Sequence, residues 1–190
     1  MAYQDHSPAR LSSSSWLKRL ADDLAADVDA YTGETRFTVE EMRRFLAVKG
    51  YRELLQRMQA ARDGKCGSDA LRCVARAMRD YALERPALSV ATFRTPTTDT
   101  PEWRAAEAQI REFMMSLFAE CGLQKDAAVQ AIRILRSIVR GFVIHEVMNS
   151  FFDPASYEES YECGIQLFIA GLQALDRCAF DADAVGADRA

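Results

Sequence analysis

His145-Glu146-Val147-Met148-Asn149 is the stretch of this chain closest to a catalytic motif. A zinc-protease helix needs two histidines one turn apart to grip the metal, with the glutamate beside them as base. Here Asn149 stands at the second ligand position, and the other histidine, His6, lies in a polar N-terminal leader. The motif therefore gives no zinc chemistry, and His145 reads as an interface or core residue making one hydrogen bond. Ser12 to Ser15 have no histidine base at a workable spacing, and neither G-x-G-x-x-G nor a phosphate-binding loop occurs. Glu158 and Glu159 pair two carboxylates, but at the start of a helix, where negative charge complements the dipole. Five cysteines without any CxxC spacing read as reduced thiols. Cys73 and Cys163 are expected in packing and Cys66, in the loop DGKCGSD, at the surface. No catalytic residue, metal or cofactor is expected.

The elements that carry these residues are helical. Residues 1–15 are polar, serine-rich and expected to be disordered, with Ser15 able to cap a helix from Trp16 through Leu17, Leu20, Leu24 and Val28. Thr38 and Glu41 have capping-box spacing ahead of a long amphipathic helix to about Arg62, with Gly50 inside it as a candidate kink. Ser68 or Asp69 is expected to cap a helix from Ala70 to Glu84, and Pro86 to start the short apolar piece ALSVATF. Pro101 suits the first turn of a helix ending at Gly122. Two long apolar-faced helices follow, broken at Phe152-Asp153-Pro154, and then an acidic tail expected to be disordered from residue 179. No strand shows period-2 alternation, so the predicted fold class is all-α.

Two local patterns stand out. Phe113-Met114-Met115 cannot all face one narrow helical stripe, so at least one of them should meet a second surface or a cavity. Gly141, Gly164 and Gly171 lie inside apolar helices, where glycine costs about 1 kcal/mol relative to alanine. Small residues on two adjacent helices suggest an interhelical seam, between two copies of the chain.

Composition agrees with a globular domain: 49% of the 190 residues are hydrophobic, 27% charged, and the net charge is −4. No apolar run reaches the roughly 20 residues of a membrane span, and the leader is not a secretory signal. A cytoplasmic protein that does not engage membranes is expected. The acidic balance argues against a strongly basic nucleic-acid binder, although a dimeric reader needs only a local basic surface.

From about Val39 to Leu175 the chain resembles the ligand-binding and dimerisation region of TetR-family transcriptional regulators, in the group with a Trp-His-Gly signature. The passages carrying the resemblance are VEEMRRFLAVKGYRELLQRMQAA, DALRCVARAMRDYALERPALSVATF, TPEWRAAEAQIREFMMSLFAECGL and AVQAIRILRSIVRGFVIHEVMNSFFDPASYEESYECGIQLFIAGLQAL. The signature is partly kept, with Arg140-Gly141 where His-Gly would stand and an aliphatic residue in place of the tryptophan. The resemblance implies a homodimer whose last two helices form a four-helix bundle. Ile138, Gly141, Phe142, His145, Gly164, Phe168, Gly171 and Leu175 would meet the second copy. It also implies a pocket for a small apolar or amphipathic effector, lined by Met58, Met78, Tyr81, Phe93, Trp103, Phe113, Met114, Met115 and Phe118. The same methionine and aromatic side chains would equally serve as core.

The division implied is a leader (1–15), a segment (16–38) in the place of a helix-turn-helix, a ligand-binding and dimerisation domain (39–178) and a tail (179–190). Residues 16–38 depart from the family pattern. Ala25 replaces the turn glycine, and the recognition helix would read ADVDAYTGETR, in which Asp27, Asp29 and Glu34 would be repelled by phosphates. The DNA-reading half is degenerate, remodelled or missing. If double-stranded DNA is a partner, Lys18, Arg19, Arg36, Arg43 and Arg44 are the candidate contacts.

Overall fold

The computed structural model describes residues 18, 21–28, 38–92, 99–148, 150 and 157–175, and every regular element among them is helical. A helical segment at residues 21–28 precedes α1 (Val39–Arg62), α2 (Gly67–Glu84), α3 (Pro86–Ala91), α4 (Pro101–Glu120), α5 (Lys125–Met148) and α6 (Tyr157–Ala170). The leader, the tail, Phe93 and the Phe152-Asp153-Pro154 break lie outside the described residues.

Local chemistry sets the helix ends. Thr38 is extended, its hydroxyl accepts the Glu41 amide at 3.2 Å, and the Glu41 carboxylate accepts the Thr38 amide at 2.7 Å. The reciprocal pair satisfies two amides that the first turn leaves without helical partners. Thr100 likewise accepts the Trp103 amide at 3.3 Å, and Pro101 opens α4 where no amide is needed. Gly122, at φ 86°, closes α4 with its amide on the Ala119 carbonyl.

The start of α2 differs from expectation. The helix begins at Gly67, three residues early, and its N-cap Cys66 makes no side-chain cap. Gly64 and Gly67 take φ of 68° and 54°, which turns the chain sharply enough to begin the helix there. Asp69 consequently sits inside the first turn, bonded to Arg72 at 3.1 Å.

α2 is the central element and packs against α1, α3, α4, α5 and α6; α1 also meets α3 and α4, and α5 meets α4 and α6. Small and aliphatic residues on α2 (Ala70, Leu71, Val74, Ala75) are buried and allow this close wrapping. Edge-to-face aromatic pairs tie the outer helices together: Tyr51–Trp103 at 5.7 Å, Phe118–Phe168 at 6.2 Å and Phe142–Tyr161 at 5.4 Å. Each adds about 0.5–1.5 kcal/mol beyond its buried area.

Gly50 is where a second backbone comes closest. A Cβ at this position would lie 2.7 Å from the Leu88 carbonyl oxygen of α3 and 2.9 Å from a Thr92 methyl. The Gly50 carbonyl also accepts the Tyr81 hydroxyl at 3.1 Å. The glycine therefore serves the α1–α3 contact. Among the described residues no helix is long and apolar enough to cross a membrane.

Candidate functional site

An apolar cavity of about 210 Å³ opens between α1, α2, α3, α4 and α5. Leu54, Met78, Ala82, Ile110, Met114, Ile132, Val139, Val143 and Val147 supply much of its wall, with Pro86, Ser89 and Val90 of α3 along one side. Exposed Val90, Ile144 and Met148 belong to the same lining, so the cavity reaches the surface beside them. Tyr51, Tyr81 and Thr92 bring hydroxyls, and Arg136 and Arg140 bring the charge. Arg136 donates to the Tyr51 hydroxyl at 3.3 Å. Burial holds the Arg140 guanidinium below its ordinary pKa, and the neighbouring Arg136 charge lowers it further. Burial likewise pushes the Tyr81 phenol up, reinforced by the charge of Glu53.

Of the residues expected to line a pocket, Met78, Tyr81 and Met114 are on this wall. Met58, Trp103 and Phe118 are instead buried among the core helices, and Met115 is packed against that core. Phe113 lies under the Arg62 guanidinium, 5.7 Å from its ring centre. All three of Phe113-Met114-Met115 touch the core, while Phe113 also meets a cation and Met114 also meets the cavity. Periodicity marks all of these residues as inward but does not distinguish cavity from core. The missed wall residues Val139, Val143 and Val147 repeat every four positions on α5, in register with Arg136 and Arg140. That stripe was the available signal.

Beside the cavity lies a cluster of charges. Arg85, the residue between α2 and α3, bonds Asp23 at 2.6 Å, Asp27 at 2.9 Å and Glu53 at 2.7 Å. Lys49 also pairs with Asp27. Asp23 further accepts the Ala87 amide at 3.1 Å, in the unbonded first turn of α3. Burial lowers the Arg85 pKa, but the Asp23 hydrogen bond and the charges of Asp23, Glu53 and Asp27 outweigh it, so the net shift is upward. The acidic residues of segment 21–28 therefore dock it on the helical body. Asp27, expected to be repelled by a phosphate backbone, is only 3% exposed and faces Arg85 and Lys49.

Three of the residues named for DNA fall among the described residues. Lys18, Arg43 and Arg44 are exposed, the latter two in the second turn of α1, while Arg19 and Arg36 lie outside the described residues. Asp29 and Glu34 do so as well.

The residues named for a seam between copies divide in two. Phe168 is core, set edge-on against Phe118, and Ile138, Phe142 and Leu175 pack on the same core. Gly164 makes room for the Phe142 ring of its own chain, 3.3 Å from where a Cβ would be. Gly141 has nothing within 4 Å of such a Cβ, and Gly171 is exposed. His145 is exposed and shares a 2.6 Å hydrogen bond with Ser150. The exposed large apolar residues of α5 and α6 are Ile134, Ile144, Met148 and Leu167, of which Ile144 and Met148 line the cavity mouth, leaving Ile134, at 38% exposure, and Leu167, at 70%, outside it.

Glu146, the would-be base of the zinc motif, forms a two-point pair with Arg79, at 3.1 and 2.9 Å, clamping α2 to α5. Among the described residues no group of three His, Cys, Asp or Glu side chains could hold a metal ion. Cys66 is exposed, and so is Cys163, which had been expected in packing; it falls on the outer face of α6.

Residues 71–168, just over half the chain, match the family model described as "Tetracyclin repressor-like, C-terminal domain". The matched segment takes in α3, α4, α5 and most of α2 and α6, and so most of the cavity wall. A relative from Bacillus subtilis (strain 168), described as the uncharacterized HTH-type transcriptional regulator YobS, is 27% identical over 135 residues, covering 70% of each chain. The all-helical architecture agrees with both, and the chain belongs to the TetR family of transcriptional regulators.

Proposed function

We propose that the chain is a homodimeric regulator whose cavity takes a small apolar or amphipathic effector, and whose occupation controls DNA binding. The observation that carries this reading is the position of Arg85. It directly precedes Pro86, which lines the cavity, and it grips Asp23 and Asp27 of the N-terminal segment. An occupant that shifts α3 changes the geometry of those ion pairs, and with it the hold on the segment. Linkage requires the effector to favour one arrangement of the segment over the other. Ile134 and Leu167, exposed apolar residues of α5 and α6 that do not line the cavity, support a dimer through these two helices.

A second reading is a ligand-binding or heterodimerising module without DNA affinity. It is favoured by the way segment 21–28 uses its own carboxylates to lie against the body, an arrangement that leaves it poorly placed to enter a groove.

The test is fluorescence anisotropy of the full chain with DNA from around its own gene, at several salt concentrations. Saturable, sequence-selective binding that weakens with salt supports the first reading. Absence of binding by a folded dimer supports the second.

A further inference from the structure

The cavity is apolar in shape but not neutral in charge. Among the described residues its charged lining side chains are Arg136 and Arg140, with no Asp, Glu, Lys or His beside them. The two arginines are four residues apart on α5 and therefore project from one face of that helix. Like charges at this spacing oppose one another, and withdrawal from water adds to the cost of holding them charged. The lowered pKa of Arg140 has burial and Arg136 as its leading causes. For Arg136 the partner at hydrogen-bond distance is the neutral Tyr51 hydroxyl rather than a carboxylate.

We infer that the effector is an amphipathic anion, with a carboxylate or phosphate head held by Arg136 and Arg140 and an apolar body against Met78, Ile110, Val139 and Val143. This rests on the cavity being an effector site and adds the charge and build of the effector. A guanidinium presents paired N–H groups that match a carboxylate or phosphate oxygen pair, and such bonds are about twice as strong as neutral ones. An anion at this point relieves the repulsion between the two arginines as well as their desolvation. At about 210 Å³ the cavity is smaller than the roughly 300–1,000 Å³ of sites for drug-sized ligands. The body is accordingly short or compact.

The test uses the full chain and three probes of equal chain length: octanoate, octanol and octylamine, followed by calorimetry and thermal shift below micelle-forming concentrations. Octanoate is expected to bind at least about tenfold tighter than octanol, and octylamine weakest. Arg140→Met and Arg136→Met, checked for native circular dichroism, should each weaken octanoate by about tenfold to a hundredfold while leaving octanol unchanged. Octyl phosphate beside octanoate shows which head group the arginine pair prefers, and preference for either over octanol supports the inference. Equal affinity for octanoate and octanol in the wild-type chain overturns it without touching the effector site itself. Tighter binding of octylamine overturns it as well. Failure of every probe, charged or neutral, would instead count against the cavity as an effector site and remove the ground of the inference.

Discussion

The guanidinium of Arg85 reaches both carboxylate oxygens of Asp27, at 3.0 and 2.9 Å, across 58 residues of chain. The same side chain holds Asp23 and Glu53. Arg85→Leu would leave three carboxylates facing one another with Lys49 as the neighbouring cation. Removing one partner of a buried pair costs about 3–5 kcal/mol, and partial exposure of Arg85 brings the expected loss to about 2–3 kcal/mol. Urea denaturation measures that loss. Hydrogen exchange should show faster amide exchange in residues 21–28; unchanged exchange there would mean that the segment is held by something else.

Gly50→Ala sets two effects against each other. Alanine gains about 0.5–1 kcal/mol in helix propensity, whereas a forced contact in a packed site costs about 1–3 kcal/mol. The contact would be with the Leu88 carbonyl at 2.7 Å, a backbone atom that cannot rotate away. Net destabilisation is expected, together with weaker effector binding as α3 moves. A more stable Gly50→Ala protein by thermal melting would refute the close approach of α1 and α3.

Leu167 and Phe168 are adjacent but have opposite surroundings. Leu167→Arg should leave monomer stability within about 0.5 kcal/mol while dissociating the proposed dimer in sedimentation or light scattering. Phe168→Ala should cost about 3–5 kcal/mol through loss of its contact with Phe118 and the resulting void. A dimer indifferent to Leu167→Arg would remove this face from the interface.

The capping box at α1 is sensitive to acid. The Thr38 amide, followed by the Thr38 hydroxyl, holds the Glu41 carboxyl below its ordinary pKa. A depressed folded pKa contributes stability that is present above the unfolded value and lost as pH falls through the folded one. The first turn of α1 should therefore fray as pH drops below the ordinary glutamate range. Amide exchange at residues 41 and 42 should rise there, and Glu41→Gln should flatten the response.

Helix ends were the most legible part of the sequence, because Thr38, Glu41, Pro101 and Gly122 act through bonds within a few residues of themselves. The Arg85 cluster was illegible for the opposite reason. Asp27 looks like a charge hostile to DNA, and Asp23 carries no signal at all, until Arg85, some 60 residues away, is brought beside them. The cavity was half legible. Met78, Tyr81 and Met114 share their inward spacing with Met58 and Phe118, and only the tertiary fit decides which meet empty space. Gly164 was read as facing a second copy, and spacing alone gave no sign that it also makes room for the chain's own Phe142. Gly50 had a signal like that of Gly141, yet Gly50 is the one that another backbone approaches.

That approach governs how a push on α3 would travel. Side-chain contacts yield by changing rotamer, so small displacements are lost among them. Where α3 rests on Gly50, the glycine puts no side chain of its own between the helices, and the Tyr81 hydroxyl holds the carbonyl of the same residue. Close-packed interiors transmit strain rather than absorb it. The six-residue helix is placed like a tappet on a shaft: a movement of a few tenths of an ångström at the cavity wall would be handed on to α1 through that contact.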